Sequence, residues 1–204
     1  MRIPLATIRI KGSEAAQALI PLKMANQQAT VFNANQGNLN FSNAIPIIGN
    51  GTATGNIVRY SNVISVGDQS IDAVITTKLN NASITSYDSE KTPTTRKDFF
   101  QPSVSIGSGG GSVTYTIDFY IGGTYTGAGT GTPATLQNVV VNSYDIDGSS
   151  PRKQFQDFKG FARYELPATS KRLEVITNAD GSVRFLSPGG SGNGTEDSYR
   201  VRVL

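Results

Sequence analysis

The chain contains no cysteine, no histidine and no tryptophan. The first absence excludes a disulfide framework, a thiolate metal site and a cysteine nucleophile, though it does not fix the redox compartment. The second removes the usual general base near neutral pH and the commonest transition-metal ligand. Ser-His-Asp and Cys-His catalysis therefore cannot be assembled from this chain alone. Charge is scarce as well: only 16% of residues are charged, with a net charge of +3. The basic residues are scattered in isolated doublets, Arg96-Lys97, Arg152-Lys153 and Lys171-Arg172. A nucleic-acid binder concentrates its charge in a stripe or patch, so no nucleic-acid partner is expected. No apolar run approaches the ~20 residues of a membrane helix, and membrane insertion is not expected either. Met1-Arg2-Ile3-Pro4-Leu5 lacks the apolar stretch of a signal peptide. An exported protein would then be represented by its mature form, or the chain would be an internal piece of something longer.

What is abundant is small and polar. Glycine, serine, threonine and asparagine make up more than a third of the 204 residues. Hydroxyl and amide side chains suit the solvated faces of strands and the turns between them. Secreted and surface β-proteins share this composition, and the expected location is extracellular or at the cell surface. A chain of this length can bury a sizeable core without any staple.

Strand signals dominate the patterning. Ala29–Phe32, Asn38–Phe41, Ile57–Val66 and Ile71–Leu79 carry β-branched or aromatic residues at spacing two, punctuated by Gly49-Asn50-Gly51 and Gly67-Asp68. In Val113–Ile121 the residues Val113, Tyr115, Ile117, Phe119 and Ile121 fall on one face and Thr114, Thr116, Asp118 and Tyr120 on the other. One face packs inward and one meets water or a partner. The glycine run 107–112 before it reads as a flexible hairpin loop. Leu136–Val141, Gly160–Leu166, Arg172–Ile176, Val183–Leu186 and a terminal strand follow. Strands recurring every ~10–14 residues between turn signals indicate an all-β fold, an antiparallel, jelly-roll-like β-sandwich. Ser13–Leu19, capped by Ser13 and ended by Pro21, is the one short helix candidate. Residues 1–12 read as an extended N-terminal segment and 13–204 as a single domain. The polar stretch 88–98 is the alternative boundary.

Carboxylates are the general acids and bases left in quantity, and the fifteen present form no recognisable pair. No enzymatic activity is expected. Asp145-Ile146-Asp147-Gly148 places two carboxylates on one side of a turn, the kind of oxygen ligand calcium takes from loops. Asp180, Glu196 and Asp197 would complete such a site, which makes Ca2+ the one candidate cofactor. A β-turn whose aspartates satisfy their own backbone is the plainer reading, and Asn178-Ala179-Asp180-Gly181 reads first as a hairpin turn. Tyr115, Tyr120, Tyr125 and Tyr144 are candidate platforms for a glycan, a reading weakened by the absence of tryptophan.

Four features carry a resemblance. They are the alternating Val113–Ile121 strand, Val139-Val140-Val141-Asn142-Ser143-Tyr144-Asp145-Ile146-Asp147-Gly148, and Gly160-Phe161-Ala162-Arg163-Tyr164, closed by Asp197-Ser198-Tyr199-Arg200-Val201-Arg202-Val203. From about residue 104 onward the chain resembles β-sandwich modules of large bacterial extracellular surface and adhesin proteins. The resemblance implies a further strand after the terminal one, and none follows here. A sandwich lacking its last strand exposes an edge, and Leu5, Ile8 and Ile10 of one copy would fill the edge formed by Tyr199, Val201 and Val203 of the next. The sequence thus points to a non-enzymatic surface-fibre or matrix subunit that self-assembles by β-strand addition. A calcium-dependent adhesin domain binding glycan or protein, and a virion or phage-tail component, are the alternatives.

Overall fold

The computed structural model describes residues 6–10, 29–35, 37–88, 98–143, 146, 153–166, 173–187 and 201–203. The fold is all-β, and the described residues contain no helix; the Ser13–Leu19 segment lies outside them. The larger half is organised by three long strands, β4 (Ile57–Val66), β5 (Gln69–Asn80) and β8 (Ser112–Ile121). They pair antiparallel, β4 with β5 and β5 with β8, in the register Ile71↔Ile121 to Asn80↔Ser112. The expected inward face of β8 is the observed one, since Val113, Tyr115, Ile117 and Phe119 are all buried. They join Val58, Tyr60, Val63, Ile71, Ala73 and Ile75 in one core.

That core is covered by the continuation of its own ribbon. β6 (Ala82–Ser86) and β7 (Ser103–Ile106) pair antiparallel from Ala82↔Ile106 onward and bring Ile84 and Val104 onto the same core. The corner between the two strand pairs is Asn81 on one side and residues 107–111 on the other. Asn81 Nδ2 donates to the Gly110 carbonyl at 2.5 Å, and the Gly107 N–H donates to the Asn81 carbonyl at 2.9 Å. A Cβ on Gly111 would lie 2.3 Å from the Asn81 carbonyl oxygen. The glycine run is therefore a close-packed corner between two sheets, and the hairpin loop expected from its composition is not formed. Its glycines are there because backbone meets backbone.

Local chemistry explains the other departures. Asn38–Phe41 forms no strand: Asn40 Oδ1 accepts from the Ser42 N–H, and the Asn40 and Phe41 N–H groups donate to Val63 and Asp98 carbonyls. β3 (Ala44–Ile48) lies just beyond it, at the edge of the sheet beside β4, where Pro46 costs no ladder bond. β2 (Thr30–Asn33) runs parallel to β9 (Pro133–Gln137), which in turn meets the end of β8 at Phe119↔Ala134. Tyr87 and Phe100, on either side of the 88–98 stretch, pack their rings 5.3 Å apart in the one core.

A second, smaller core lies beyond β9. β11 (Phe155–Lys159), β13 (Glu174–Thr177) and β14 (Val183–Leu186) form an antiparallel set, β11 with β14 and β14 with β13. Among the described residues Ile146, Phe158, Leu173 and Phe185 are buried in it. Gly160–Leu166, expected as one strand, is divided: β11 ends at Lys159 and β12 is only Tyr164–Glu165. β12 belongs to a separate three-stranded sheet, in which β15 (Val201–Val203) lies between β12 and β10 (Val141–Ser143).

Candidate functional site: the place of the N-terminal strand

β1 (Ala6–Ile10) is the element that joins the two halves. It runs parallel to β8 in the register Ala6↔Val113 to Ile10↔Ile117, and parallel to β11 at Ile8↔Phe158 and Arg9↔Lys159. The order in the sheet is β11-β1-β8, so β8 and β11 do not pair with each other. Every other partner of β8 and β11 in the sheet is antiparallel. The alternation Ala6-Thr7-Ile8-Arg9-Ile10 is a strand pattern of β-branched residues, and a parallel strand needs a long connection rather than a tight turn. Between β1 and β8 that connection carries β2 to β7. Withdrawing β1 would leave two edges facing one slot, residues 113–117 of β8 and 158–159 of β11.

Ile8 and Ile10 lie in β1, bonded on both sides. Val201 and Val203 lie in β15, also bonded on both sides, Val203 opposite Val141 and Tyr164. Leu5 and Tyr199 lie outside the described residues. The sequence identified the N-terminal strand, while the edges it completes are those of β8 and β11, which alternation within β8 alone cannot reveal.

Of the five carboxylates considered for calcium, Asp145, Asp147, Glu196 and Asp197 lie outside the described residues. Asp180 lies in the Asn178–Ser182 turn that joins β13 to β14, as its hairpin signature implied. Its Oδ1 accepts from the Ser182 N–H at 3.0 Å and the Ser182 hydroxyl at 2.6 Å. Lys159 Nζ donates to the Asp180 carbonyl at 2.5 Å, tying the turn to β11. Among the described residues no three acidic side chains stand together as a metal cluster.

The buried carboxylates are engaged in structure. Asp72 accepts from the Asn62 and Gly123 N–H groups, both at 2.9 Å, and lies 3.8 Å from Arg59 Nε. Asn62, at φ 51°, is the bulge that Asp72 caps. Asp88 receives the Tyr60 hydroxyl at 2.8 Å and the Gln101 N–H at 3.0 Å. Asp157 takes a two-pronged hydrogen bond from Arg184, both contacts 2.8 Å, while the guanidinium lies 3.7 Å from the centroid of the Phe155 ring. That hydrogen bond pushes the Arg184 pKa up, against the smaller opposing effect of burial.

The tyrosines considered as glycan platforms are placed differently from that expectation. Tyr115 is wholly buried and Tyr125 nearly so, while Tyr120 is half-buried with its ring 4.8 Å from that of Tyr125. Tyr144 is outside the described residues. Among the described tyrosines the exposed ring is Tyr164, 41% accessible, in an open hollow with Phe161, Arg163 and Val183 between Gly160 and Gly181. Its pattern, an aromatic three residues after another outside any long strand, gave nothing periodic to follow.

The chain matches no protein-family model, no curated protein and no solved structure.

Proposed function

We propose that this chain is a non-enzymatic, extracellular structural and adhesive module, a subunit of a surface fibre or matrix that assembles by β-strand addition. The observation that carries the reading is the position of β1, which pairs parallel on both sides and fills a slot between two strands that do not pair with each other. The same ladder forms whether residues 6–10 come from the chain itself or from a neighbour, so exchange changes few local contacts. The connection from Ile10 to Thr30 has a contour length of up to roughly 65 Å, enough to reach an adjoining copy. Buried carboxylates spent on bulges, loops and ion pairs also suit a scaffold better than an acid–base site.

Sedimentation and electron microscopy test this. The full chain is expected to form concentration-dependent oligomers or filaments, and the chain lacking residues 1–11 to form none. A synthetic peptide of residues 1–11, added in excess to the full chain, is expected to cap growth. A monomer at every concentration would refute strand addition.

The hollow beside Tyr164 supports a second reading, an adhesin that binds glycan or protein, with Asp145 and Asp147 as calcium ligands. A glycan array read with and without millimolar calcium, and repeated with Tyr164→Ala, separates it from the first. Calcium-dependent binding lost in that variant would favour the adhesin.

A further inference from the structure

Among the described residues Asn50, in the turn between β3 and β4, is the only asparagine followed by glycine. It is exposed, and its carboxamide bends back along the chain. Asn50 Oδ1 accepts from the Thr52 N–H at 3.2 Å and from the Thr52 hydroxyl at 2.6 Å. Both donors belong to the residue after Gly51, so Asn50 Cγ is folded over the Asn50–Gly51 peptide. Gly51 has no Cβ to hinder approach of its nitrogen to that carbon. Two other turns lack part of this arrangement. Asn40 bends back onto the Ser42 N–H at 2.9 Å, but the residue between them is Phe41, whose side chain crowds its own amide. Asp180 has both donors from Ser182, at 3.0 and 2.6 Å. Its carboxylate has no ammonia to lose, however, and the Gly181 N–H is given to the Asn178 carbonyl at 3.0 Å.

Attack of a backbone nitrogen on a carboxamide carbon places negative charge on the carboxamide oxygen, and donors aimed at that oxygen stabilise it. At Asn50 those donors are the two groups of Thr52. We propose that Asn50 is a self-modification site. The Gly51 nitrogen gives up its proton to hydroxide and bonds to Asn50 Cγ. The Cγ–Nδ2 bond breaks, and Nδ2 leaves as ammonia. Water then opens the resulting succinimide, at the side-chain carbonyl to give aspartate or at the backbone carbonyl to give isoaspartate. The fold separates these products. Aspartate keeps an oxygen for both Thr52 donors. Isoaspartate inserts an extra carbon into the backbone just before Gly51. That glycine is buried at φ 87°, and a Cβ on it would lie 2.2 Å from the Tyr87 ring. Tyr87 packs against Phe100 and Tyr115, so the isoaspartate form disturbs the larger core.

Peptide mapping by mass spectrometry tests this on the full chain, aged at mildly alkaline pH with and without denaturant. Conversion at Asn50 is expected to be at least as fast in the folded chain as in the unfolded one. It should be several-fold slower in folded Thr52→Val and restored in Thr52→Ser, with no difference between the variants in denaturant. The isoaspartate fraction of the aged protein should unfold at a lower midpoint than the starting chain, whereas Asn50→Asp should leave the midpoint unchanged. Conversion slower in the folded chain than in the unfolded one, or the same in Thr52→Val as in the parent, would overturn the site.

Discussion

Strands β4, β5 and β8 run 10, 12 and 10 residues, whereas β11, β13 and β14 run 5, 4 and 4. The long strands present alternating large side chains to one core and lock its rim with tyrosines, an aspartate-capped bulge and a ribbon folded over the top. The short ones bury Ile146, Phe158, Leu173 and Phe185 around an exposed-edged hairpin. Burying a large apolar side chain contributes ~1.5–3 kcal/mol, while ordering each residue costs roughly 1–2 kcal/mol of backbone entropy. Among the described residues the second region buries four such side chains, fewer than the larger core. It leans on pairing with strands distant in sequence, β1 for β11 and β15 for β12.

High pH separates the two regions most sharply. Burial pushes the pKa values of Tyr60, Tyr87 and Tyr115 above the ordinary value of 10.0, with Asp88 adding to the effect at Tyr60. A phenol whose pKa rises on folding keeps its proton longer in the native chain. Stability is therefore intact below about pH 10 and lost above it, as the unfolded tyrosines ionise first. With three such groups the loss is expected to reach roughly 4 kcal/mol per pH unit. The buried rings of the smaller core are phenylalanines, so hydrogen exchange above pH 10 should show the larger core opening first. Opening of the smaller core first would break the comparison.

Phe185→Ala is expected to cost about 3–5 kcal/mol and to unfold the smaller region while the larger one persists. Two resolved denaturant transitions would show this, and a single transition would mean the cores are coupled into one unit. Asp157→Ala strands a half-buried guanidinium and is expected to cost roughly 1.5–3 kcal/mol, read as a fall in the first transition alone. Val175→Thr, on the 37%-exposed edge of β13, should change stability by less than about 0.5 kcal/mol.

The same contrast governed what the sequence revealed. Ile57–Val66 and Val183–Leu186 are strands with the expected bounds, and the inward face of β8 was legible because period-two alternation continues along the whole strand. β6 was hidden because it follows β5 across the single residue Asn81, with no glycine or proline to mark the break. The asparagine is in fact the hinge of a corner, a role set by the glycines opposite it. Strands of two or three residues, such as β12 and β10, carry no periodicity to read. Parallel pairing of β1 was illegible for a different reason: alternation marks a strand but not its neighbours. The ion pair of Asp157 with Arg184 likewise depends on β11–β14 register.

Cross-linking between separate copies tests the role of β1 most directly, because the chain has no cysteine of its own. Thr7 and Thr114 are register partners in the β1–β8 ladder. A chain carrying Thr7→Cys would be mixed with a chain carrying Thr114→Cys, and the mixture treated with a short bifunctional thiol reagent. Exchange of β1 between copies should yield covalently joined Thr7→Cys and Thr114→Cys chains. If the mixture stays monomeric while a chain bearing both substitutions closes on itself, the N-terminal strand serves its own copy alone and assembly by strand addition is contradicted.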